Sequence, residues 1–214
     1  MTKFVHNSVV ECIDFMGSDL TVVNVARVSF AKESFEVNAK DEKLIEYLAK
    51  HGHWSPFAHC YMQFRIKAPI FVARQLVKHQ VGLSWNEVSR RYVDDEPEFY
   101  LPSEWRGRAA NVKQGSSDEP VQLDMDYAMV ASEAALGAYL ALLRAGVAPE
   151  QARMVLPQNM MTEWIWSGSL MAFARVCQQR LDSHAQAETR EVAVEIDKIG
   201  RHLYYNSWKA LMGE

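Results

Sequence analysis

Two hydrophobic periods run through the chain and predict both strands and helices. Residues 60–67 and 158–167 alternate polar with apolar side chains, which is typical of half-buried strands, and residues 4–16 predict one or two more. Apolar positions three and four residues apart predict helices over 19–28, 38–51, 70–79, 121–145, 169–181 and 185–211. Because strands and helices are mixed along the chain without an internal repeat, we expect an α+β fold.

Local signals indicate where several of these helices begin and end. Asn38 stands where an N-cap is expected and Gly52 just beyond the last turn of the same helix. Pro69 and Pro149 occupy first-turn positions, where the missing N–H of proline costs nothing, and Gly146 ends the long helix before Pro149. Residues 93–121 carry acidic turns and prolines and are expected to be connecting chain.

Composition narrows the class of protein. With 214 residues, 49% hydrophobic and 23% charged, the chain is expected to form a single domain over residues 1–214. A net charge of −4 without a basic stripe argues against a nucleic-acid partner. The three scattered cysteines indicate neither disulfides nor a zinc site. Neither a signal peptide nor an 18-residue apolar run is evident, so we expect a soluble cytoplasmic protein without a membrane partner.

The segment from 74 to 92 is unusually rich in directional hydrogen-bonding side chains. It combines arginines and lysine with glutamine, histidine, serine, asparagine and glutamate. Arg74 leaves one face of the predicted helix, and an extended conformation over 84–92 would place Glu87, Ser89 and Arg91 on one side of a strand. An acceptor, a hydroxyl and a forked cation in that arrangement suit a sugar phosphate, so this segment predicts an anion site.

Other polar segments suggest binding more than acid–base chemistry. Three histidines lie within 51–59, but their spacing around glycine and proline does not form a metal-ligand face, so no metal is expected. The chain lacks a Gly-x-Ser-x-Gly elbow, a Gly-x-Gly-x-x-Gly loop and a Walker loop. Scattered arginines without a prominent carboxylate pair favour a nucleotide or cofactor-phosphate site, with the difficult chemistry left to a cofactor.

The segment Ser84-Trp-Asn-Glu-Val-Ser-Arg-Arg-Tyr92 resembles the second half of a family signature, Arg-His-Arg-x-x-Ser-x-Asn-Glu-x-Ser-x-Arg-Tyr. That signature belongs to the flavin-dependent thymidylate synthases. Further similar blocks occur in the same order, and together they cover most of the chain apart from residues 93–150. They are Ala26–Phe30, His51–Phe57, Lys67–Gln75, Ala152–Pro157 and Arg180–Gln186.

The resemblance implies a fold and a reaction. The fold would be an antiparallel-rich sheet packed with helices, in a homotetramer whose subunits share active sites. The reaction would be reductive methylation of dUMP to dTMP, with 5,10-methylenetetrahydrofolate as carbon donor and FAD, reduced by NADPH, as hydride source. The protein would act in a bacterial cytoplasm, or be phage-encoded and act in that of the host. The alternative is a catalytically altered dUMP- or flavin-binding protein, or a flavin reductase, on the same scaffold.

Carried over position by position, the resemblance also implies two sets of site residues. The dUMP-binding positions are Gln75, Lys78, Glu87, Ser89, Arg90, Arg91, Arg153 and Arg180. The FAD-binding positions are Ser29, His53, Ser55, Lys78, His79, Gln80, Asn86, Glu87, Ser169 and Arg175. Arg180 matches the arginine held against the pyrimidine, where a permanently charged guanidinium can stabilise a developing anion, so it is the expected catalytic residue.

The chain departs from the family pattern at two places. The Arg-His-Arg of the signature is Lys78-His79-Gln80, with one extra residue before Ser84. The Asn-x-Arg-Ser that the family has before its final helix is Ser169-Leu-Met171-Ala here, so that Met171 replaces an expected arginine. Glutamine and methionine carry no charge, and lysine lacks the planar fork of arginine. We therefore hypothesise that Arg175 restores the positive charge that positions 80 and 171 have lost.

Overall fold

The structure, a computed structural model, describes residues 2–110 and 115–214 and contains two compact units. Of the described residues, the first unit comprises 2–9, 66–78, 86–110 and 115–164, and the second comprises 10–65, 79–85 and 165–214. In the part of the chain that is described, no helix is both long and apolar enough to cross a membrane.

The first unit is built on short strands and one long helix. Its strands include β1 (Lys3–Val5), β5 (Glu98–Tyr100), β6 (Arg106–Arg108) and β7 (Ser116–Pro120), and its helices are α3 (Ile70–Leu76), α4 (Tyr127–Arg144) and α5 (Pro149–Ala152). β1 pairs in parallel with β5, and β6 pairs antiparallel with β7. Phe99 of β5 is fully buried in a core that includes Leu136 and Tyr139 of α4. That core anchors the segments around the site described below.

The second unit is built around a sheet covered by helices. Parts of four strands belong to it: β2 (Val9–Met16), β3 (Tyr61–Pro69), β4 (Leu83–Glu87) and β8 (Met161–Ser169), which form a sheet of the order β2-β3-β8-β4. Residues 9, 66–69, 86–87 and 161–164 of these strands belong to the first unit. The helices are α1 (Asp19–Arg27), α2 (Ala39–Lys50), α6 (Leu170–Arg180), α7 (Ala187–Leu203) and α8 (Tyr205–Met212). The predicted α+β, antiparallel-rich fold class is confirmed.

The predicted half-buried strand over residues 60–67 is present as β3, and its side chains alternate between buried and exposed. Met62 and Phe64 are buried while their neighbours Tyr61 and Arg65 are exposed. The ring of Phe64 meets that of Phe173 edge-on at 4.9 Å, so this face of β3 packs against α6. The predicted caps are also present, since the Asn38 side chain accepts a hydrogen bond from the N–H of Lys40 at the start of α2.

Several predicted boundaries are wrong. The helix expected over 70–79 ends at Leu76, with Pro69 as its N-cap, and the helix expected over 121–145 begins only at Tyr127, where Asp126 caps it. The strand expected over 158–167 runs from Met161 to Ser169. These shifts follow caps and pairing partners that hydrophobic periodicity does not reveal.

Three larger expectations are corrected. The final helix, expected over 185–211, is two helices broken at Tyr204, whose buried hydroxyl lies 2.9 Å from the carbonyl oxygens of Met16 and Tyr61. Residues 93–121 are not plain connecting chain, because they contain β5, β6 and β7. Residues 111–114 of that stretch lie outside the described residues. The extended segment expected over 84–92 ends at Glu87, and residues 89–93 form a turn.

Candidate active site

A cleft of about 890 Å³ opens in the first unit, between the end of β4, the adjoining part of β8, α3 and the segment after α5. Four cationic side chains line it: Lys67, Arg74, Arg90 and Arg153. Five carboxylates line it as well: Glu87, Asp95, Glu96, Glu98 and Glu163. We call this space the cleft. What it can bind depends on which of these charges already have protein partners.

Part of the charge in the cleft is neutralised internally. Glu98 forms ion pairs with both Lys67 and Lys3. Burial alone would raise the pKa of Glu98, but hydrogen bonds and charge from the two lysines outweigh it and hold the pKa below its usual range. Arg90 donates a hydrogen bond to the backbone carbonyl of Asp95. These groups are therefore occupied in shaping the cleft.

The guanidinium groups of Arg74 and Arg153 also line the cleft, but they are not engaged with protein groups in this way. Within residues 2–110 and 115–214, the side chains of Arg74 and Arg153 form neither a hydrogen bond nor an ion pair, and both residues are exposed. Arg153 is a predicted dUMP-binding residue, whereas Arg74 belongs to the 74–92 segment that predicts an anion site but is not among the predicted dUMP- or FAD-binding residues. A guanidinium without a protein anion is suited to bind a phosphate or carboxylate through two parallel hydrogen bonds. The cleft therefore has the chemistry of an anion site.

Glu87 lies in the cleft at the last residue of β4. The hydroxyl of Thr162 donates a hydrogen bond to Glu87 Oε1 at 2.7 Å, and the N–H of Val88 donates to the Glu163 carbonyl at 2.9 Å. Both bonds join the end of β4 to β8. The structure thus brings Glu87, Arg90 and Arg153, three of the predicted dUMP-binding residues, to one cleft.

The predicted grouping of Glu87, Ser89 and Arg91 on one strand face is wrong, because the strand ends before Ser89. The backbone N–H and the Nε of Arg91 instead lie 3.3 and 3.4 Å from Ser89 Oγ within a turn. The Arg91 guanidinium lies over the ring of Tyr92, 5.0 Å from its centroid. Among the described residues that line the cleft, Ser89 and Arg91 are absent.

A second group of predicted site residues lies in the second unit, where His79 meets Arg180. Arg180 Nε donates to His79 Nε2 at 3.0 Å. Because an arginine is always a donor, His79 must accept at Nε2 and is therefore neutral, with its proton on Nδ1. Burial, the charge of Arg180 and the charge of Arg175 all lower the pKa of His79, which is consistent with this state. The two terminal nitrogens of Arg180 have no acceptor among the described residues.

The turn after His79 is held by α6 and β8. Arg175 donates to the carbonyl of Val81 at 2.7 Å, and the N–H of Ser169 donates to the carbonyl of Gly82 at 3.2 Å. Gly82 has a φ of +77°, a conformation that favours glycine. The buried hydroxyl of Ser169 accepts from the N–H of Ala172 and caps α6. Arg175 thus has a structural partner in this turn, and Ser169 serves as a cap.

The remaining predicted site residues are mostly exposed. In the second unit, Ser29 lies in a 3-10 turn over Val28–Phe30, His53 lies in the short connection after α2, and Ser55 begins a 3-10 helix over Ser55–His59. His51, in contrast, stacks on Tyr47 at 4.1 Å, as expected of a residue that ends α2. Of the others, Lys78, Gln80 and Asn86 are exposed and Gln75 is half-buried. Among the described residues, no group of three or more His, Cys, Asp or Glu side chains is arranged to hold a metal.

Sequence reasoning did not name Arg74, Thr162 or Glu163 among the predicted binding residues, although Arg74 lies in the segment that predicts an anion site. Arg74 carried a usable signal, because its helical position one turn from Lys78 placed it on the same surface. Nothing in the local sequence marks Thr162 and Glu163 as site residues, since both lie in a segment with the ordinary alternating pattern of a strand. Only the pairing of β4 with β8 brings them to Glu87.

Two guanidinium groups without a partner among the described residues, in an open cleft of an α+β protein, are typical of a site for phosphorylated or other anionic ligands. Comparison with known proteins narrows this class. Residues 11–204 match the family model described as "Thymidylate synthase complementing protein". The chain is 42% identical over 192 residues to the flavin-dependent thymidylate synthase of Thermotoga neapolitana, covering 90% of this chain and 85% of the relative. It is 41% identical over 204 residues to that of Thermus thermophilus, covering 94% and 74%.

A solved structure is also similar along nearly the whole chain. The UMP/dUMP methylase PolB from Streptomyces cacaoi, bound with 5-Br dUMP, matches with a TM-score of 0.87 and 31% identity, covering 97% of this chain and 96% of that one. The structure of the same methylase with 5-Br UMP matches with a TM-score of 0.82 and 30% identity, covering 98% and 95%. The chain belongs to the family of flavin-dependent thymidylate synthases.

Proposed function

We propose that this chain catalyses the reductive methylation of dUMP to dTMP, with 5,10-methylenetetrahydrofolate as carbon donor and NADPH as reductant. The observation that carries the proposal is the cleft with two guanidinium groups that have no partner among the described residues, in a chain of this family. The phosphate of a nucleotide carries close to two negative charges and matches the planar fork of arginine. Arg153 and Arg74 bind the phosphate, and Glu87 accepts hydrogen bonds from the nucleoside.

Arg180 is proposed as the catalytic residue of the chain. His79 accepts from its Nε, which fixes the plane of the guanidinium and leaves four N–H groups on the two terminal nitrogens as donors. A fixed cation with oriented donors stabilises negative charge that develops on a pyrimidine ring more than charge already present in the ground state. A neutral His79 is necessary for this arrangement, because a protonated ring would repel the guanidinium and could not accept its hydrogen bond.

FAD is the cofactor of the proposed reaction, and after reduction it supplies the hydride. The residues of the second unit fit such a ligand: Ser29 and Ser55 offer hydroxyls, and the exposed side chains of Val28, Phe30 and Trp54 offer apolar surface for a fused ring. Lys78, His79, Gln80, Asn86, Glu87 and Ser169 remain proposed FAD contacts. Arg175 is proposed to add positive charge near the flavin, and equal FAD affinity in Arg175→Ala and wild type would end that part of the proposal.

The sites are proposed to be completed in a homotetramer, with Gln75, Lys78, Ser89, Arg90 and Arg91 contributing to the nucleotide site of one subunit or its neighbour. Light scattering of the purified protein, with and without FAD, tests the assembly. A cytoplasmic location follows from the substrates, since nucleotide, folate and NADPH pools are intracellular. No contact with nucleic acid or membrane is part of the proposal.

The decisive experiment is tritium release from 5-tritiated dUMP with FAD, NADPH and methylenetetrahydrofolate. Arg153→Ala should raise the KM for dUMP by about 10- to 100-fold, the value of a lost charge-assisted hydrogen bond. Arg144→Ala removes an exposed arginine that does not line the cleft and should leave KM unchanged. Arg180→Ala should abolish tritium release while FAD stays bound. Wild-type protein that is colourless and cannot be reconstituted with FAD would refute the proposed reaction.

UMP is the second nucleotide to test, because the similar Streptomyces enzyme is described as a methylase of both UMP and dUMP. We expect dUMP to be preferred, and parallel assays with 5-tritiated UMP measure the preference as a ratio of kcat/KM. NADPH oxidation without tritium release from either nucleotide would favour the alternative, a flavin reductase on this scaffold.

A further inference from the structure

Thr162, the second residue of β8, lies in the wall of the cleft and is only 8% exposed. Its hydroxyl donates to Glu87 Oε1 at 2.7 Å, across 75 residues of sequence. A buried hydroxyl whose hydrogen bond goes to a carboxylate makes a charge-assisted bond, stronger than one between neutral groups. This contact joins a residue without an assigned role to the carboxylate that is proposed to accept from the nucleoside.

The geometry makes Thr162 the fixed partner of the two. Threonine is β-branched, so its χ1 angle is restricted. Next to Thr162, the N–H of Val88 donates a hydrogen bond to the carbonyl of Glu163 at 2.9 Å and joins the end of β4 to β8. Glu87 is an exposed residue at the end of β4, with three side-chain torsions to order. Holding such a side chain in one orientation costs conformational entropy. Because the hydrogen bond from Thr162 already orders the Glu87 side chain, less of this entropy is lost when a ligand binds.

We propose that Thr162 is a positioning residue, which holds the Glu87 carboxylate in the orientation that receives donor groups of the bound nucleotide. A carboxylate has about four acceptor positions, so the bond from Thr162 leaves capacity for ligand N–H or O–H groups. Thr162 acts through Glu87 and does not touch the reacting atoms. The inference rests on the proposed function, because it requires that a nucleotide binds in the cleft.

The test is a set of Thr162 variants in the purified, FAD-loaded enzyme. Thr162→Val keeps the branched shape but removes the donor, and should raise the KM for dUMP by about 10-fold, the effect of a hydrogen bond to a charged group, while kcat changes less than about twofold. Thr162→Ser keeps the donor and should stay within about threefold of wild type. A general loss of folding would lower kcat and apparent Tm in both variants, without this selective rescue.

A double-mutant cycle separates an action through Glu87 from a direct one. In a Glu87→Ala background, Thr162→Val should change the KM for dUMP by less than about twofold, because the partner is already absent. If Thr162→Val does not give folded protein, Thr162→Ala goes through the same cycle. A wild-type KM in Thr162→Val, or an equal penalty with and without Glu87, would overturn the inference. Wild-type enzyme that fails to bind dUMP would instead overturn the proposed function.

Discussion

Gly168 lies where β8 passes closest to the turn that holds Gly82, and it should tolerate no side chain. A Cβ at Gly168 would lie 2.6 Å from the Gly82 carbonyl oxygen and would also meet the side chain of Leu83. Ordinary contacts of a Cβ begin at 3.4 Å, so this separation would have to grow by about 0.8 Å. The obstacle is a backbone carbonyl, which cannot move out of the way by changing a rotamer. Gly168→Ala is therefore expected to displace the turn.

The expected cost is large for the addition of one methyl group. Overpacking in a well-packed region costs about 1–3 kcal/mol, and we expect the upper end here because backbone must move. About 3 kcal/mol corresponds to a fall in apparent Tm of about 6–12 °C for a chain of this size. The displaced turn also carries the Gly82 carbonyl that accepts from Ser169 and the Val81 carbonyl that accepts from Arg175. Reduced FAD content should therefore accompany the loss of stability.

Gly137→Ala is the matched control. Gly137 lies in the middle of α4, and a Cβ there would meet no atom within 4 Å. Alanine is favoured over glycine in a helix by about 1 kcal/mol, so this variant should gain about 2–4 °C. Thermal unfolding by circular dichroism and bound-FAD absorbance are measured on both variants and wild type. An apparent Tm of Gly168→Ala within 2 °C of wild type, with full FAD content, would refute the close-packing argument.

Three further predictions concern buried or perturbed groups. Asp41 is fully buried and paired with Arg27, so Asp41→Asn should cost about 3 kcal/mol, the low end for a broken buried pair because the Arg27 side chain is 26% exposed. Glu42→Gln, an exposed neighbour in the same helix turn, should stay within about 0.5 kcal/mol in urea unfolding, and equal midpoints for the two variants would contradict this. Cys60 and Cys177 are buried, and burial raises the pKa of Cys60 to about 11 and also raises that of Cys177, so neither thiol should react readily with DTNB at pH 8 until the protein is unfolded. Rapid reaction of these thiols with DTNB in the native protein would contradict this prediction. Burial, Arg180 and Arg175 lower the pKa of His79, so its contribution to stability is complete above the ordinary histidine value near 6.5 and is lost as the pH falls below it. NMR titration should place the His79 midpoint below 6.5 and move it upward in Arg180→Gln, whereas an unchanged midpoint would argue against the contact.

Local signals in the sequence predicted most elements but not where they stop. The alternation in β3 and the cap at Asn38 depend on neighbouring residues, and these predictions are confirmed. The break at Tyr204 depends on strand carbonyls at positions 16 and 61, which periodicity over residues 185–211 cannot reveal. In the same way β5 exists because β1, more than 90 residues earlier, pairs with it.

The sequence by itself determined the family, the α+β class and the set of residues with the right chemistry, because these depend on residue identity and order. Only the tertiary structure decided which of them meet. It joined Thr162 to Glu87 and Arg180 to His79, residues 75 and 101 positions apart. Within residues 2–110 and 115–214, it left the side chains of Arg74 and Arg153 without anionic partners. It also ended the strand at Glu87 and so separated Ser89 and Arg91 from the predicted face. Strand register and helix packing set such contacts, and neither is a property of a local segment.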